Sequence, residues 1–141
     1  MAHICKVCVP VFVSMRLLNT IAGLRVAQVR AIFNLPPHLQ APRLPTQLAY
    51  IEWFTPLRNS DTNSGLGLLS VARSTRHGEA VAAIIAVDDI VSSCHLIPKY
   101  GTHFQRGTWT SDDALEVCKT FTLNKYINPG TFFNYNSHVF K

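Results

Sequence analysis

The sequence predicts a mainly β domain with one C-terminal helix, an α+β chain built as a small SH3-like barrel or as a partly open antiparallel β-sandwich. Apolar and polar residues alternate in RVAQVRAIFNL, residues 25–35, which is the pattern of a half-buried strand. Short apolar, aromatic and β-branched runs then recur as far as residue 101, and turn residues separate them. The period becomes helical only after Thr110. Five short strands followed by one helix are typical of these two architectures.

A proline-rich loop separates the first two predicted strands. Pro36-Pro37 ends the strand at 25–35, and two more prolines make HLQAPRLPTQ a loop. The run LAYIEWFTPL, residues 48–57, is rich in aromatic and β-branched residues, which predicts a second strand. After the turn RNSDTNSGLG, the segment GLLSVARS, residues 67–74, predicts a third strand.

The last two predicted strands follow a tight turn at Arg76-His77-Gly78. AVAAIIAV, residues 80–87, is apolar on both faces, so we expect a central strand there. Asp88-Asp89-Ile90 predicts a corner of the chain. VSSCHLIPKYG, residues 91–101, then predicts the strand that closes the sheet.

The helix is predicted after Thr110-Ser111-Asp112-Asp113, where a hydroxyl and two carboxylates suit a helix start. Within ALEVCKTF, residues 114–121, four apolar side chains share one helical face: Ala114, Leu115, Cys118 and Phe121. For the remaining residues we expect a short strand or irregular cover and then a loose end.

The predicted organisation is a single β-rich domain at 25–133 with a loose tail at 134–141. Residues 1–24 form a separate N-terminal segment, which resembles a weak secretory signal or an import presequence, or else is an artefact of gene prediction. Residues 1–51 contain five basic and no acidic residues, and the remainder contains eight of each. That asymmetry fits contact with a polyanion, an import signal or a piece of a larger protein. No apolar run reaches the roughly 18–20 residues that span a bilayer, so we expect no transmembrane segment.

The reactive residue types do not form a predicted catalytic or metal site. Cys5 and Cys8 have the CxxC spacing of a zinc site, but Cys94 and Cys118 are too far apart to supply the second pair. Neighbours along a strand point to opposite faces, so Cys94 and His95 are not expected to meet as nucleophile and base. The carboxylates belong to a corner and a helix start: Asp88, Asp89, Asp112, Asp113 and Glu116. We therefore expect no enzyme activity and no cofactor.

Several stretches resemble a known family. The most specific motifs are YIEWF, CHLIPKYG and CKTFTLNKY. Together with the rest of the chain from about Arg25 to about Phe133, they resemble the C-terminal region of basidiomycete DDE-transposase-like proteins. The groups concerned are the Kyakuja–Dileera–Zisupton and Plavaka groups. The resemblance implies a non-catalytic descendant or fragment of a transposon protein. It also implies an intracellular protein, nuclear if functional, that contacts nucleic acid or another protein.

Two groups of residues are candidate binding sites, and neither implies a small-molecule substrate. Basic residues near two turns are candidates for phosphate contact: Arg73, Arg76, Lys99 and Arg106. Aromatic residues of the second strand form a candidate aromatic surface: Tyr50, Trp53 and Phe54. Two alternative hypotheses remain, a small secreted fungal protein and a chromatin-reader-like β-barrel that binds methylated lysine.

Overall fold

Short antiparallel strands dominate the computed structural model of the chain, which describes residues 4–15, 23–59, 67–99, 110 and 113–136. The strands are β1 (Ile4–Ser14), β2 (Leu24–Asn34), β3 (Gln47–Trp53), β4 (Arg58–Asn59), β5 (Leu69–Ala72), β6 (Thr75–Arg76), β7 (Glu79–Ala80), β8 (Ala82–Ala86), β9 (Ile90–Ser93), β10 (Leu96–Pro98) and β11 (Thr120–Leu123). The α-helices are α1 (Ala114–Val117) and α2 (Pro129–Asn136), and 3-10 turns occur at Pro37–Leu39 and Val87–Asp89.

A five-stranded sheet with the order β8-β3-β2-β1-β9 forms the larger layer. β2 lies where the sequence predicts its first strand, but residues 26–29 are all buried, so its centre is buried on both faces and the half-buried prediction is wrong. β1 pairs with β2 on one side and with β9 on the other, so the β-rich domain begins before the boundary predicted at residue 25. The strand is held there because Val11 and Val13 are buried on one face of the sheet and Phe12 is buried on the other.

A four-stranded sheet with the order β10-β11-β5-β4 packs against this layer. The core between the sheets joins Phe12 and Val26 of the larger sheet to apolar residues of the smaller one: Leu69, Val71, Leu96, Phe121 and Leu123. Phe54 meets Phe121 edge to face, with ring centroids 5.6 Å apart. Both sheets are open, so the mainly β prediction is confirmed and the closed SH3-like barrel is wrong.

The fourth and fifth predicted strands take different positions from those expected. β8 is an edge strand and not a central one, and the Ile84 side chain is 61% exposed. The predicted closing strand is divided between the two sheets. Cys94 N–H donates to the Pro10 carbonyl of the larger sheet, whereas the His95 carbonyl accepts from Asn124 N–H beside the smaller one. The chain therefore crosses from one sheet to the other between Cys94 and His95.

The helical segment is shorter than predicted. α1 is a single turn because Cys118 is already extended, and Phe121 pairs with Val71 in a strand instead of sharing a helical face with Leu115. α2 occupies part of the tail, for which a short strand or irregular cover and then a loose end were predicted. In the described part of the chain, neither helix has the length and hydropathy needed to cross a membrane.

Candidate functional site

The outer face of the four-stranded sheet carries hydroxyl groups beside basic residues. Thr120 pairs with Ala72 and Thr122 pairs with Ser70, so these four side chains point away from the core that Val71 enters. Lys99 N–H donates to the Thr120 carbonyl at 2.9 Å, which continues the β10–β11 ladder by one residue. Lys99 is therefore held at the edge of this face.

Arg58 lies at the opposite edge of the same face, because β4 pairs Arg58 with Ser70. Between the two edges is a shallow cleft of about 230 Å³, which we call the cation cleft: it is lined by Thr55, Arg58, Ser70, Val71, Ala72, Lys99 and Thr120. Both cationic side chains belong to exposed residues. Among the described residues that line it there is no carboxylate, so the cation cleft is suited to an anion.

Thr55 is fixed by two hydrogen bonds with one partner. Its N–H donates to the Ala72 carbonyl at 2.7 Å, and its hydroxyl oxygen accepts from the Ala72 N–H at 3.0 Å. This pairing anchors the segment between β3 and β4 against β5, and so it places Arg58 on the rim. A hydroxyl that accepts one hydrogen bond still has a proton to donate, for example to a phosphate oxygen.

The predicted phosphate-contact residues do not form one cluster. Lys99 lines the cation cleft, and Arg76 is exposed on the β6–β7 hairpin, where His77 and Gly78 have the positive φ values of a tight turn. Arg73 points inward: its guanidinium carbon lies 5.3 Å from the Phe54 ring centroid. Arg106 lies outside the described residues.

Arg58 is a candidate site residue that the sequence does not predict. It opens the polar segment RNSDTNSGLG, which the composition indicates as a turn. Arg58 joins the cleft because β4 pairs it with Ser70 of β5. This pairing exists only in the folded sheet, so the sequence carries no local signal for it. Lys119, also exposed, lies at the end of the β5–β11 pair, because its carbonyl accepts from the Arg73 N–H at 3.2 Å.

A network of ion pairs connects α1 to the five-stranded sheet. The Arg30 guanidinium donates to Glu52 Oε2 at 2.8 Å and also to both carboxylate oxygens of Glu116. Gln28 Nε2 donates to Glu116 Oε1 at 3.3 Å. Hydrogen bonds from Arg30 and its charge lower the pKa of Glu116 to about 2, and the same contacts raise the pKa of Arg30.

The candidate aromatic surface is divided among three environments. Phe54 is fully buried in the core, and Tyr50 is 39% exposed on β3. Trp53 lies on the opposite face of that strand, where the Arg25 guanidinium covers its ring at 4.8 Å from the centroid. Arg25 Nε also donates to the Phe54 carbonyl at 2.9 Å. The cation–π position on Trp53 is thus occupied by a residue of the same chain.

The reactive side chains are separated. Cys94 is buried, and burial raises the pKa of its thiol to about 12. His95 is exposed, and its Nδ1 lies 3.2 Å from Asn124 Nδ2. The two side chains diverge as the alternation along the chain predicts. Asp88 and Asp89 lie in a 3-10 turn, and no metal-binding group of His, Cys, Asp or Glu occurs among the residues that the structure describes.

Comparison with known proteins adds no assignment to this geometry. No family model matches the chain, and neither a curated protein nor a solved structure matches it. The cation cleft and the chemistry of its residues are therefore the observations that bear on function.

Proposed function

We propose that this chain is a non-catalytic binding module that contacts the phosphate backbone of nucleic acid through the cation cleft. The observation that carries the proposal is the placement of Arg58 and Lys99 on either side of a strip of hydroxyls with no carboxylate among the described lining residues. Lysine and arginine neutralise phosphates, and Ser and Thr hydroxyls donate to phosphate oxygens. Such contacts hold a strand without reading its bases, so we expect little sequence preference.

The family resemblance supports the same class of function. In this proposal the chain derives from the C-terminal region of a fungal transposase-like protein, intracellular and nuclear if functional, and supports a reaction that another domain performs. Arg73 is excluded from the contact surface because its guanidinium is engaged within the fold. The reader-like alternative is not favoured, since Arg25 already covers Trp53.

A binding titration tests the proposal. Fluorescently labelled single-stranded and duplex oligonucleotides of unrelated sequence are titrated with the full chain at low salt. We expect binding to both, and a loss of at least about tenfold in affinity when Arg58→Ala and Lys99→Ala are combined. Arg43→Ala removes one exposed charge that does not line the cleft and serves as the control. Equal affinities for the wild type and the double variant would contradict the proposal.

A further inference from the structure

The edge strand β8 presents one row of backbone groups away from β3, its neighbour among the described strands. Trp53 N–H donates to the Val81 carbonyl at 2.8 Å, and the register continues with Ile51 opposite Ala83. In an antiparallel ladder every second residue directs its N–H and C=O at the neighbouring strand. Ala83 and Ile85 therefore face β3, whereas the backbone groups of Ala82, Ile84 and Ala86 point outward.

β8 differs from the other sheet edges of the described chain because it has no feature that blocks pairing. Edges are commonly protected by proline, by charge, by an irregularity or by shortness. β10 ends in Pro98, β4 has two residues, and β9 pairs with β1 through a register shift. β8 is five residues long, consists of alanine and isoleucine, and carries neither a charge nor a proline.

The side chains of β8 are self-complementary about its centre. On one face the order is Ala82, Ile84 and Ala86, which is the same in either direction. Ile84 is 61% exposed, a larger fraction than for any other large apolar side chain of the described residues, and Tyr50 lies directly opposite it on β3.

We propose that β8 pairs in antiparallel fashion with β8 of a second copy of this chain, centred on Ile84. Ile84 would then exchange two hydrogen bonds with Ile84 of the second copy, and Ala82 would pair with Ala86 on each side. The two five-stranded sheets join into one continuous sheet. The contact is isologous, with the same patch on both copies, so it closes as a dimer and does not propagate.

Sedimentation of the full chain over a range of concentrations tests the pairing. The expected result is a reversible dimer of two 15.7 kDa chains. Ile84→Lys places like charges directly opposite each other and should weaken the dimer at least about tenfold. Val91→Lys is the matched control, because Val91 is 56% exposed on the other edge of the sheet and should leave the dimer unchanged. Far-UV circular dichroism checks that both variants fold.

Amide hydrogen exchange supplies a readout that needs no variant. The Ile84 N–H should exchange more slowly as the protein concentration rises, whereas the Val91 N–H should not change. A chain that stays monomeric at its highest soluble concentration would overturn the proposal. A dimer in which hydrogen exchange at the Ile84 N–H does not depend on protein concentration would also overturn it. The same holds if the chain binds an unrelated extended peptide at β8 more tightly than it binds a second copy of itself.

Discussion

Nη1 of Arg73 lies 3.5 Å from Oε2 of Glu52, which joins the end of β5 to β3. The same guanidinium donates to the Leu115 carbonyl in α1 and stacks on the Phe54 ring. Arg73 therefore ties α1 and both sheets together. A basic residue that looks available for phosphate in the sequence is used to hold the fold.

Replacing Arg73 with alanine should destabilise the protein without weakening nucleic-acid contact. The side chain is 19% exposed, so its loss leaves charge-assisted hydrogen bonds unmade at a half-buried site and should cost about 1–3 kcal/mol in the free energy of unfolding. Urea denaturation measures this cost. Arg76→Ala removes an exposed arginine three residues away and should change the stability by less than about 0.5 kcal/mol. Similar losses for the two variants would contradict the inward role of Arg73.

Glu116 should make stability depend on pH in the acidic range. Its folded-state pKa is lowered from 4.5 to about 2 by Arg30, so its stabilising contribution is fully present above pH 4.5 and is lost as the pH falls toward 2. The side chain is 45% exposed, so added salt should reduce the effect. Unfolding measured between pH 5 and pH 2 should show a smaller loss of stability for Glu116→Gln than for the wild type. Parallel pH profiles would exclude the ion pair.

The strands of the larger sheet were predictable where side-chain alternation alone determines them. β2 is a strand where that alternation predicts one, although residues 26–29 are buried on both faces, whereas the apolar composition of β8 suggested a buried strand. The central strand predicted at residues 80–87 is wrong because β8 is rich in alanine. A side chain this small is tolerated both in a central strand and at an exposed edge. Asn128 and Pro129 also carried a signal for α2. The Asn128 side-chain oxygen accepts from the Thr131 N–H at 2.8 Å, which is an N-cap followed by proline at the first helical position.

The candidate site was predictable only in part. The sequence places Lys99 near a loop and predicts its exposure, but the partners of Lys99 depend on which strands pair. Arg58 and Lys99 lie at the two edges of the same sheet, because β4 and β10 are its outer strands and β5 and β11 are its inner strands. α1 ends early because strand pairing of Phe121 outweighs the helical periodicity of residues 114–121.

Phe121 should be among the most sensitive positions of the core. It is fully buried and packs edge to face on Phe54, so Phe121→Ala should cost about 3–5 kcal/mol in the free energy of unfolding. Val117→Ala provides the comparison, since Val117 is 52% exposed in the preceding helical turn. Chemical denaturation of both variants decides the matter. A change below about 1 kcal/mol for Phe121→Ala would show that the inter-sheet core is not packed as described.

Cys94 should resist thiol reagents in the folded protein. Burial raises its pKa to about 12, so the thiolate is scarce at neutral pH, and the sulfur is also shielded. Iodoacetamide labelling followed by peptide mass spectrometry should show modification of Cys94 only as fast as the chain unfolds. Adding urea should accelerate the labelling in step with the loss of β-structure. Rapid labelling of Cys94 under native conditions would indicate an open site at the crossing between the sheets.

The salt dependence of oligonucleotide binding tests the central claim most directly. Each phosphate neutralised by a basic side chain contributes about 0.7–0.9 to the slope of log K against log salt concentration. Combining Arg58→Ala with Lys99→Ala should therefore reduce the magnitude of the slope by about 1.4–1.8, whereas Arg43→Ala should leave it unchanged. An identical slope for the wild type and the double variant, or no binding by the wild type at low salt, would contradict nucleic-acid contact at the cation cleft.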